Sequence, residues 1–254
     1  MRLDSFLVEN NFYKSRNKAA EGINRGEVFV NGKPCLKSST QVDNADVISL
    51  KRNEIPFVSL GGDKLKRAVI KFIPQIEGKH FIDVGASTGG FTDCLLRNGA
   101  AKVYCVDVAE NLLDERIAND NRVVVMDKTN ARYLTVEQIG EMVDGIVVDC
   151  SFISLEYILP PLVPLLNENG YLLALIKPQF ELQERLKLKN GILRDNSLRL
   201  KILRRIYDFS IKCGLSPQGI VDVTADKKKN VEYIIYLNRD MGSKSFESLV
   251  NELK

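Results

Sequence analysis

Charged side chains stand at the carboxyl ends of five apolar stretches in this 254-residue chain. They are Asp83, Asp107, Asp127, Asp149 and Lys177. Each stretch predicts a buried β-strand, and parallel strands of an α/β sheet bind ligands at their carboxyl ends. Carboxylates suit a cationic or hydroxyl-rich ligand, whereas a lysine can accept a proton or orient a hydroxyl. We therefore expect Asp149 and Lys177 to share one crevice with the end of the first strand.

The first strand, Phe81 to Val84, leads into a glycine-rich loop and a helix that begins at about Gly90. The loop residues are Gly85, Ala86, Ser87, Thr88, Gly89, Gly90 and Phe91. Such a loop lets the backbone approach a ligand, and the helix presents free N–H groups to it. A dinucleotide fingerprint would need glycine where Ser87 stands. Together with Asp83, the loop favours S-adenosylmethionine, which has an amino acid, a sulfonium and a ribose but no phosphate; an ordinary strand-loop-helix corner is the alternative.

The next two strands support a nucleoside cofactor. Asp107 ends the strand Ala101 to Val108, and follows Asp83 at nearly the spacing of the acidic residue that binds ribose in Rossmann-type sites. Asp127 follows the strand Arg122 to Met126 and is a candidate for a position near the adenine. For both residues, a solvated carboxylate at a strand end is the alternative.

Composition disfavours several classes of protein. The chain is 44% hydrophobic and 27% charged, without an apolar run near the ~20 residues that span a bilayer. We expect a cytoplasmic monomer with no membrane association. The five cysteines lack the spacing of a zinc site or a disulfide framework. His80 is the only histidine, so a histidine-dependent hydrolase is disfavoured, and we expect no metal.

Positive charge is concentrated locally, although the net charge is only +3. Residues 1–71 contain 13 Lys and Arg against 8 Asp and Glu, and two further basic zones lie at 185–194 and 227–229. Such zones favour a polyanion, because binding to phosphates releases counterions. A solvated surface is the alternative for each zone alone, but three of them beside a cofactor domain favour nucleic acid.

Residues 1–50 predict a small separate unit of two helices followed by a strand and a hairpin turn. The pattern resembles the S4 RNA-binding domain through Arg2-Leu3-Asp4, Ser15-Arg16, Ala19, Ile23, Gly26, Val28 and Val30-Asn31-Gly32. The resemblance implies that RNA is contacted by Lys14, Arg16, Lys18 and Arg25. Residues 51–59, which include Pro56, predict a linker to a second domain at 60–254.

Motifs spread over the whole chain resemble the TlyA (hemolysin A-like) family. They are Gly61-Gly62-Asp63-Lys64-Leu65, Asp83 to Thr92, Asp149 to Leu155, Lys177 to Glu181 and Asn230 to Tyr233. The resemblance implies an α/β fold: a Rossmann-like, FtsJ-like methyltransferase domain whose mostly parallel sheet has an antiparallel last strand, preceded by a small α+β S4-like domain. It also implies ribose 2′-O-methylation of cytidine in the large-subunit ribosomal RNA, with the small subunit as a further substrate of some members.

The same resemblance implies a Lys-Asp-Lys-Glu catalytic tetrad, which falls on Lys64, Asp149, Lys177 and Glu232. A ribose 2′-hydroxyl is a poor nucleophile, so it must lose or share its proton as it attacks the methyl carbon. We expect Lys177 to be the base or the hydroxyl-orienting group, held by Asp149, while Glu232 pairs with Lys64. Leu60 departs from the family, whose members often have arginine before the double glycine. The resemblance therefore does not imply a substrate or linker contact at this position, whereas the expected chemistry is unaffected.

Two other classes of function remain open on the sequence. A pure RNA-binding or ribosome-assembly module would keep the S4-like unit but has no need of a tetrad at strand ends. A pore-forming cytolysin, which the older family name suggests, would need a membrane-spanning or strongly amphipathic segment that the sequence does not offer.

Overall fold

The computed structural model describes residues 1–10, 12–13, 15–24, 26–50, 56–182, 188–224, 229–239 and 242–253. Contacts divide the chain into two compact units, Met1–Pro56 and Phe57–Lys254. Residues 51–55 of the expected linker lie outside the described residues. The domain limits drawn from the sequence stay a prediction.

The first unit combines two helices with a small antiparallel sheet. Its elements are α1 (Leu3–Glu9), α2 (Arg16–Asn24), β1 (Val28–Val30), β2 (Lys33–Pro34) and β3 (Ile48–Leu50), with strand order β2-β1-β3. The Ser15 hydroxyl accepts the Lys18 N–H at 3.4 Å, as expected for a helix cap. Asn31 and Gly32 have φ of 52° and 75°, the paired left-handed conformation of a tight hairpin turn.

The second unit is built on a seven-stranded sheet. The strands are β4 (His80–Val84), β5 (Lys102–Val106), β6 (Val123–Met126), β7 (Val143–Val148), β8 (Leu166–Ile176), β9 (Ser216–Asp222) and β10 (Tyr233–Asn238). Their spatial order is β6-β5-β4-β7-β8-β10-β9, and β10 is antiparallel to both of its neighbours. The predicted mostly parallel sheet with an antiparallel last strand is confirmed.

Helices cover both faces of this sheet. They are α3 (Leu60–Phe72), α4 (Gly90–Arg97), α5 (Glu115–Ala118), α6 (Val136–Ile139), α7 (Leu155–Leu162), α8 (Asn196–Lys212) and α9 (Phe246–Asn251). Alternation along β4 separates the layers: Phe81 packs in the cluster that contains α3 and α4, and Ile82 in the cluster that contains α7 and α8. The carboxyl ends of the strands, which carry the candidate site residues, therefore lie between two buried layers.

Helix α3 is the main element that the sequence did not predict. Gly61 and Gly62 lie in its first turn, and adjacent glycines are poor helix formers, so propensity gives no signal for a helix there. A lipid bilayer could not be crossed by any helix in the described part of the chain, since none combines sufficient length with sufficient apolar character.

Candidate active site

The glycine loop begins directly after β4, which ends at Val84. Gly85 has φ +79°, and a Cβ at this position would lie 2.6 Å from the backbone oxygen of Asp149, so a larger residue does not fit. Ser87 and Gly89 also have positive φ, and Gly89 is the N-cap of α4. The loop therefore turns tightly against the end of β7, as its glycines predicted.

Asp83 is fully buried near the end of β4. Its Oδ2 accepts hydrogen bonds from the Thr92 backbone N–H at 3.0 Å and the Thr92 hydroxyl at 2.6 Å. Its Oδ1 has no partner among the described residues. Desolvation raises the pKa of Asp83 to about 7, against the opposing effect of the Thr92 hydrogen bonds. A ligand that brings hydrogen-bond donors or positive charge would satisfy this carboxylate.

Two cavities of about 400 Å³ and 430 Å³ adjoin the loop. Both are lined by Gly85, Ser87, Asp149 and Ser151. The first extends along apolar residues to Asp107, whose carboxylate accepts the Ser87 N–H at 2.9 Å. The second is also lined by Asp83, Ala86, Thr88, Gly90, Phe91 and Lys177. The structure thus gathers most of the predicted cofactor residues around one continuous cleft.

Two predicted cofactor residues lie outside these linings. Gly89 packs against α5, where a Cβ would approach Ile117 to 3.0 Å. Asp127 follows β6 and accepts the Asn111 N–H at 3.0 Å. Neither residue lines the two cavities, and a direct contact of either with a cofactor stays a prediction.

Lys177 follows the last residue of β8 and is 9% exposed. Its Nζ lies 2.5 Å from Asp149 Oδ1 and donates a hydrogen bond to the Ser151 hydroxyl at 2.8 Å. The ammonium is thus held between a carboxylate and a hydroxyl on the wall of the second cavity. A charge so well buried is costly unless it is paired, and Asp149 provides the pairing.

Lys64 and Glu232 form a second ion pair, with Nζ and Oε2 2.7 Å apart. Glu232 stands directly before β10, and a residue at the start of a strand would lie far from the site if that strand were parallel to its neighbours. Because β10 is antiparallel, its first residue, Tyr233, pairs with Ile176 at the end of β8. The start of β10 therefore lies at the same edge of the sheet as the carboxyl ends of the parallel strands.

Close packing explains why glycine rather than a larger residue stands at several positions near Lys64. The Ser59 hydroxyl caps α3, and a Cβ on Gly90 would lie 2.1 Å from that hydroxyl oxygen. A Cβ on Gly62 would come within 2.2 Å of the Phe57 side chain. Small residues thus let α3 approach α4 closely, which positions Lys64 beside the sheet.

A third cavity of about 420 Å³ lies at the Lys64–Glu232 pair. Its other lining residues are Leu60, Gln179, Asn190, Ile192, Lys229 and Asn230. Leu60 also lines the second cavity, so the two ion pairs face adjoining spaces. This arrangement leaves room for a substrate beside the cofactor cleft.

The predicted RNA-binding residues lie in the first unit. Arg16 is exposed and pairs with Asp4 at 3.2 Å, while Lys18 is exposed and pairs with Glu21 at 3.0 Å. Lys14 and Arg25 lie outside the described residues. An RNA contact at these positions stays a prediction.

Sequence reasoning missed several residues beside the tetrad. Ser151 holds Lys177, and Phe152 adopts φ +63°, an uncommon conformation for a bulky residue, with its ring 4.6 Å from that of Phe180. Glu181 is a buried carboxylate at 3% exposure. The available signal was proximity in sequence, since these residues follow Asp149 and Lys177 within the same short motifs.

Comparison with known proteins decides the family. The family model described as FtsJ-like methyltransferase matches residues 57–239, and that of the S4 domain matches residues 1–48. The chain belongs to the FtsJ-like methyltransferase family. Its S4 domain precedes the methyltransferase domain, as the motifs indicated.

Relatives agree with this assignment over nearly the whole chain. Hemolysin A of Brachyspira hyodysenteriae is 39% identical, covering 93% of this chain and 99% of its own length. The 16S/23S rRNA (cytidine-2′-O)-methyltransferase TlyA of Mycobacterium tuberculosis is 36% identical, covering 98% and 96%. The structure of a hemolysin-named protein from Streptococcus thermophilus has a TM-score of 0.73 and 34% identity, covering 100% of this chain and 94% of its own.

S-adenosylmethionine is the cofactor of this FtsJ-like methyltransferase. The residues present fit it: the unpartnered Asp83 Oδ1 suits its positive charge, and the Asp107 carboxylate faces a cavity with apolar walls. Within the described ranges, the structure contains no group of His, Cys, Asp and Glu side chains that could hold a metal ion.

Proposed function

We propose that this FtsJ-like methyltransferase methylates the ribose 2′-hydroxyl of cytidine in ribosomal RNA. The observation that carries the proposal is the buried Lys177–Asp149 ion pair on the wall of the cofactor cleft, beside a second pair of Lys64 and Glu232. The substrate is suggested by relatives named as rRNA (cytidine-2′-O)-methyltransferases, at 36% and 31% identity.

Lys177 is proposed to act on the substrate hydroxyl. Bound S-adenosylmethionine would supply the activated methyl group. As an ammonium, Lys177 would orient the 2′-hydroxyl, and as the neutral amine it would take the hydroxyl proton. In either state, Asp149 and Ser151 would keep Nζ at the cavity wall. Much of the rate would come from holding the attacking oxygen in line with the methyl group.

The Lys64–Glu232 pair is proposed to border the site of the target nucleotide. It lines the third cavity, which adjoins the cofactor cleft at Leu60. Lys64 can donate hydrogen bonds to ribose or phosphate oxygens, and Glu232 limits the geometry of its ammonium. The four residues together form the proposed tetrad.

The S4 domain is proposed to recruit the RNA through Arg16, Lys18, Lys14 and Arg25. Double-helical RNA is recognised largely by its shape and backbone, so a separate basic domain can select a folded substrate without a base-specific code. The proposed substrate is RNA within ribosomal subunits, the large subunit first. The protein would act as a monomer in the cytoplasm, where ribosomal subunits are found.

Mapping of 2′-O-methyl groups by mass spectrometry tests this function. Ribosomal RNA from cells with and without the gene should differ at one or more cytidines, and purified protein should restore the modification on unmethylated subunits. The Lys177→Ala variant should not restore it, whereas Lys201→Ala, an exposed lysine of α8, should. Identical methylation maps in the two strains would contradict the proposal.

A further inference from the structure

Two loops carry the Lys177–Asp149 pair, and side chains connect these loops at three successive points. At the first point, Lys177 contacts Asp149 and Ser151. At the second, the rings of Phe152 and Phe180 lie 4.6 Å apart. At the third, the Ser154 hydroxyl donates a hydrogen bond of 2.6 Å to Glu181. Side-chain contacts therefore connect the loops 149–154 and 177–181 from one end to the other.

Glu181 forms the third of these connections, and it uses both oxygens of its carboxylate. Oε2 accepts from the Ser154 hydroxyl, and Oε1 accepts from the Leu155 backbone N–H at 2.9 Å. Leu155 is the first residue of α7, and its N–H has no acceptor within the helix. One buried side chain thus fixes both the end of the first loop and the start of the helix behind it.

A cation on α8 compensates the charge of Glu181. Arg205 donates to the Glu181 backbone oxygen at 2.6 Å and to its carboxylate at 3.3 Å. The same guanidinium lies 3.3 Å from Glu156 on the first turn of α7. Desolvation raises the pKa of Glu181, and the hydrogen bonds from Ser154 and Leu155 together with Arg205 oppose this effect. The Glu181 carboxylate is only 3% exposed, so its removal would leave the Leu155 N–H and the Ser154 hydroxyl without this acceptor.

We infer that Glu181 is a positioning residue for methyl transfer. Its carboxylate holds the loop of Lys177 against the loop of Asp149, so that the lysine amine stays where the substrate hydroxyl must arrive. Glu181 itself does not line the cofactor cavities, so the cofactor should bind without it. The inference rests on the proposed function, because the geometry that Glu181 maintains matters only for a reaction at Lys177.

Single-turnover methylation of ribosomal subunits tests the role in catalysis. Glu181→Ala should reduce the methyl-transfer rate by ~10- to 100-fold, because small displacements of a catalytic group are costly. The dissociation constant of S-adenosylmethionine should stay within ~3-fold of wild type. Ser154→Ala should also reduce the rate. The double variant should be no slower than Glu181→Ala, because both substitutions remove the same hydrogen bond between Ser154 and Glu181. Glu181→Gln keeps an acceptor for Leu155 and should recover most of the rate.

The matched control is Glu156→Gln. This residue pairs with the same arginine and lies on the same helix, but it does not join the two loops. Its methyl-transfer rate should stay within ~2-fold of wild type. A comparable slowing in Glu156→Gln would mean that Arg205 or α7 stability, rather than the loop connection, sets the rate, and would overturn the inference.

Chemical labelling of lysines gives a readout that needs no RNA. Acetic anhydride, used in trace amount on the folded protein, should acetylate Lys177 at least ~3-fold faster in Glu181→Ala than in wild type, because the amine is released from Asp149 and Ser151. Lys64, paired with Glu232, should label at an unchanged rate and serves as the internal reference. Unchanged labelling of Lys177 would overturn the positioning role. Wild-type protein that does not methylate ribosomal RNA would instead overturn the proposed function, while the labelling result still decides whether Glu181 positions Lys177.

Discussion

Lys64 on α3 and Glu232 before β10 form an ion pair of 2.7 Å, although they come from opposite ends of the methyltransferase domain. Both side chains are mostly buried, at 17% and 16% exposure. The pair therefore ties the first helix of this domain to its last strand at the edge of the sheet where Lys177 also emerges.

Breaking this pair should affect catalysis and leave the cofactor bound. We expect Glu232→Gln to reduce methyl transfer by ~10- to 100-fold, because Lys64 loses its partner beside the proposed nucleotide site. Neither residue lines the two cofactor cavities, so calorimetry should give a cofactor affinity within ~3-fold of wild type. Glu168→Gln, an exposed carboxylate in β8, is the control and should be active. Loss of cofactor binding in Glu232→Gln would contradict the separation of the two sites.

Lys177→Ala should abolish methyl transfer while cofactor and RNA binding stay within a few-fold of wild type. Loss of a general base or of its positioning typically costs ~10² to 10⁴ in rate. Lys177→Arg should fail too, because a guanidinium does not deprotonate in proteins and has a different donor geometry. Binding assays must accompany the activity assay, since the buried strand end could loosen. Substantial activity of Lys177→Arg would rule out a base and leave an electrostatic role.

Cofactor affinity should rise with pH because of Asp83. Desolvation raises the pKa of this carboxyl to about 7 in the free protein, and only the ionised form attracts a cationic cofactor. Between about pH 6 and about pH 8, the ionised fraction increases ~10-fold, and calorimetry should show affinity increasing accordingly. Asp83→Asn should bind more weakly and lose this part of the pH dependence, which separates it from titration of the cofactor itself. An identical pH profile in the variant would show that Asp83 is not the titrating group.

Lys18 in the S4 domain should contribute to RNA binding and not to cofactor binding. Its ammonium is exposed, and its surface pair with Glu21 contributes little to stability. We expect Lys18→Ala to weaken RNA binding several-fold and to reduce the slope of log affinity against log salt by ~1. Lys201→Ala on α8 is the control. A salt dependence unchanged in Lys18→Ala would remove this lysine from the RNA-binding surface.

Glu141 should stabilise the folded protein at pH values above the ordinary pKa of a glutamate side chain. Burial opposes ionisation of this carboxyl, but hydrogen bonds from Tyr104, His80 and Lys102 outweigh it and lower its pKa to about 2. A carboxyl whose pKa is lowered by folding stabilises the protein above the unfolded value of about 4.5, and this stability is lost as the pH falls towards about 2. Glu141→Gln should therefore lower the thermal midpoint at neutral pH by ~2 to 6 °C. The difference from wild type should shrink in acid; a constant difference would refute the linkage.

The elements that carry the cofactor cleft could be predicted from the sequence. Apolar runs that end in Asp83, Asp149 or Lys177 have the period and length of buried strands, and these are local properties of the chain. Gly85 likewise reports a local backbone conformation, because its φ of +79° lies in the left-handed region that glycine adopts most readily. The motifs of the methyltransferase family can therefore be recognised from the sequence, without knowledge of any tertiary contact.

Helix α3 shows where local reasoning fails. Gly61 and Gly62 argue against a helix by propensity, yet the helix forms because these small residues let it pack closely on Phe57 and α4. Tertiary packing outweighs propensity at this position. The benefit of a missing side chain becomes visible only when its neighbours are in place.

The sequence by itself determined which residue types stand at the strand ends, and so the kind of chemistry this protein can support. The strand ends predicted that Asp149 and Lys177 share one crevice, and the family resemblance implied the pair of Lys64 and Glu232. Only the tertiary structure gives the physical reason for these contacts. Glu232 reaches Lys64 because β10 inserts antiparallel beside β8, which turns the start of a strand towards the site. Glu181 meets Ser154 because two loops follow neighbouring strands β7 and β8. Strand order and direction arise from burial summed over the whole sheet, so no local pattern of residues encodes these contacts.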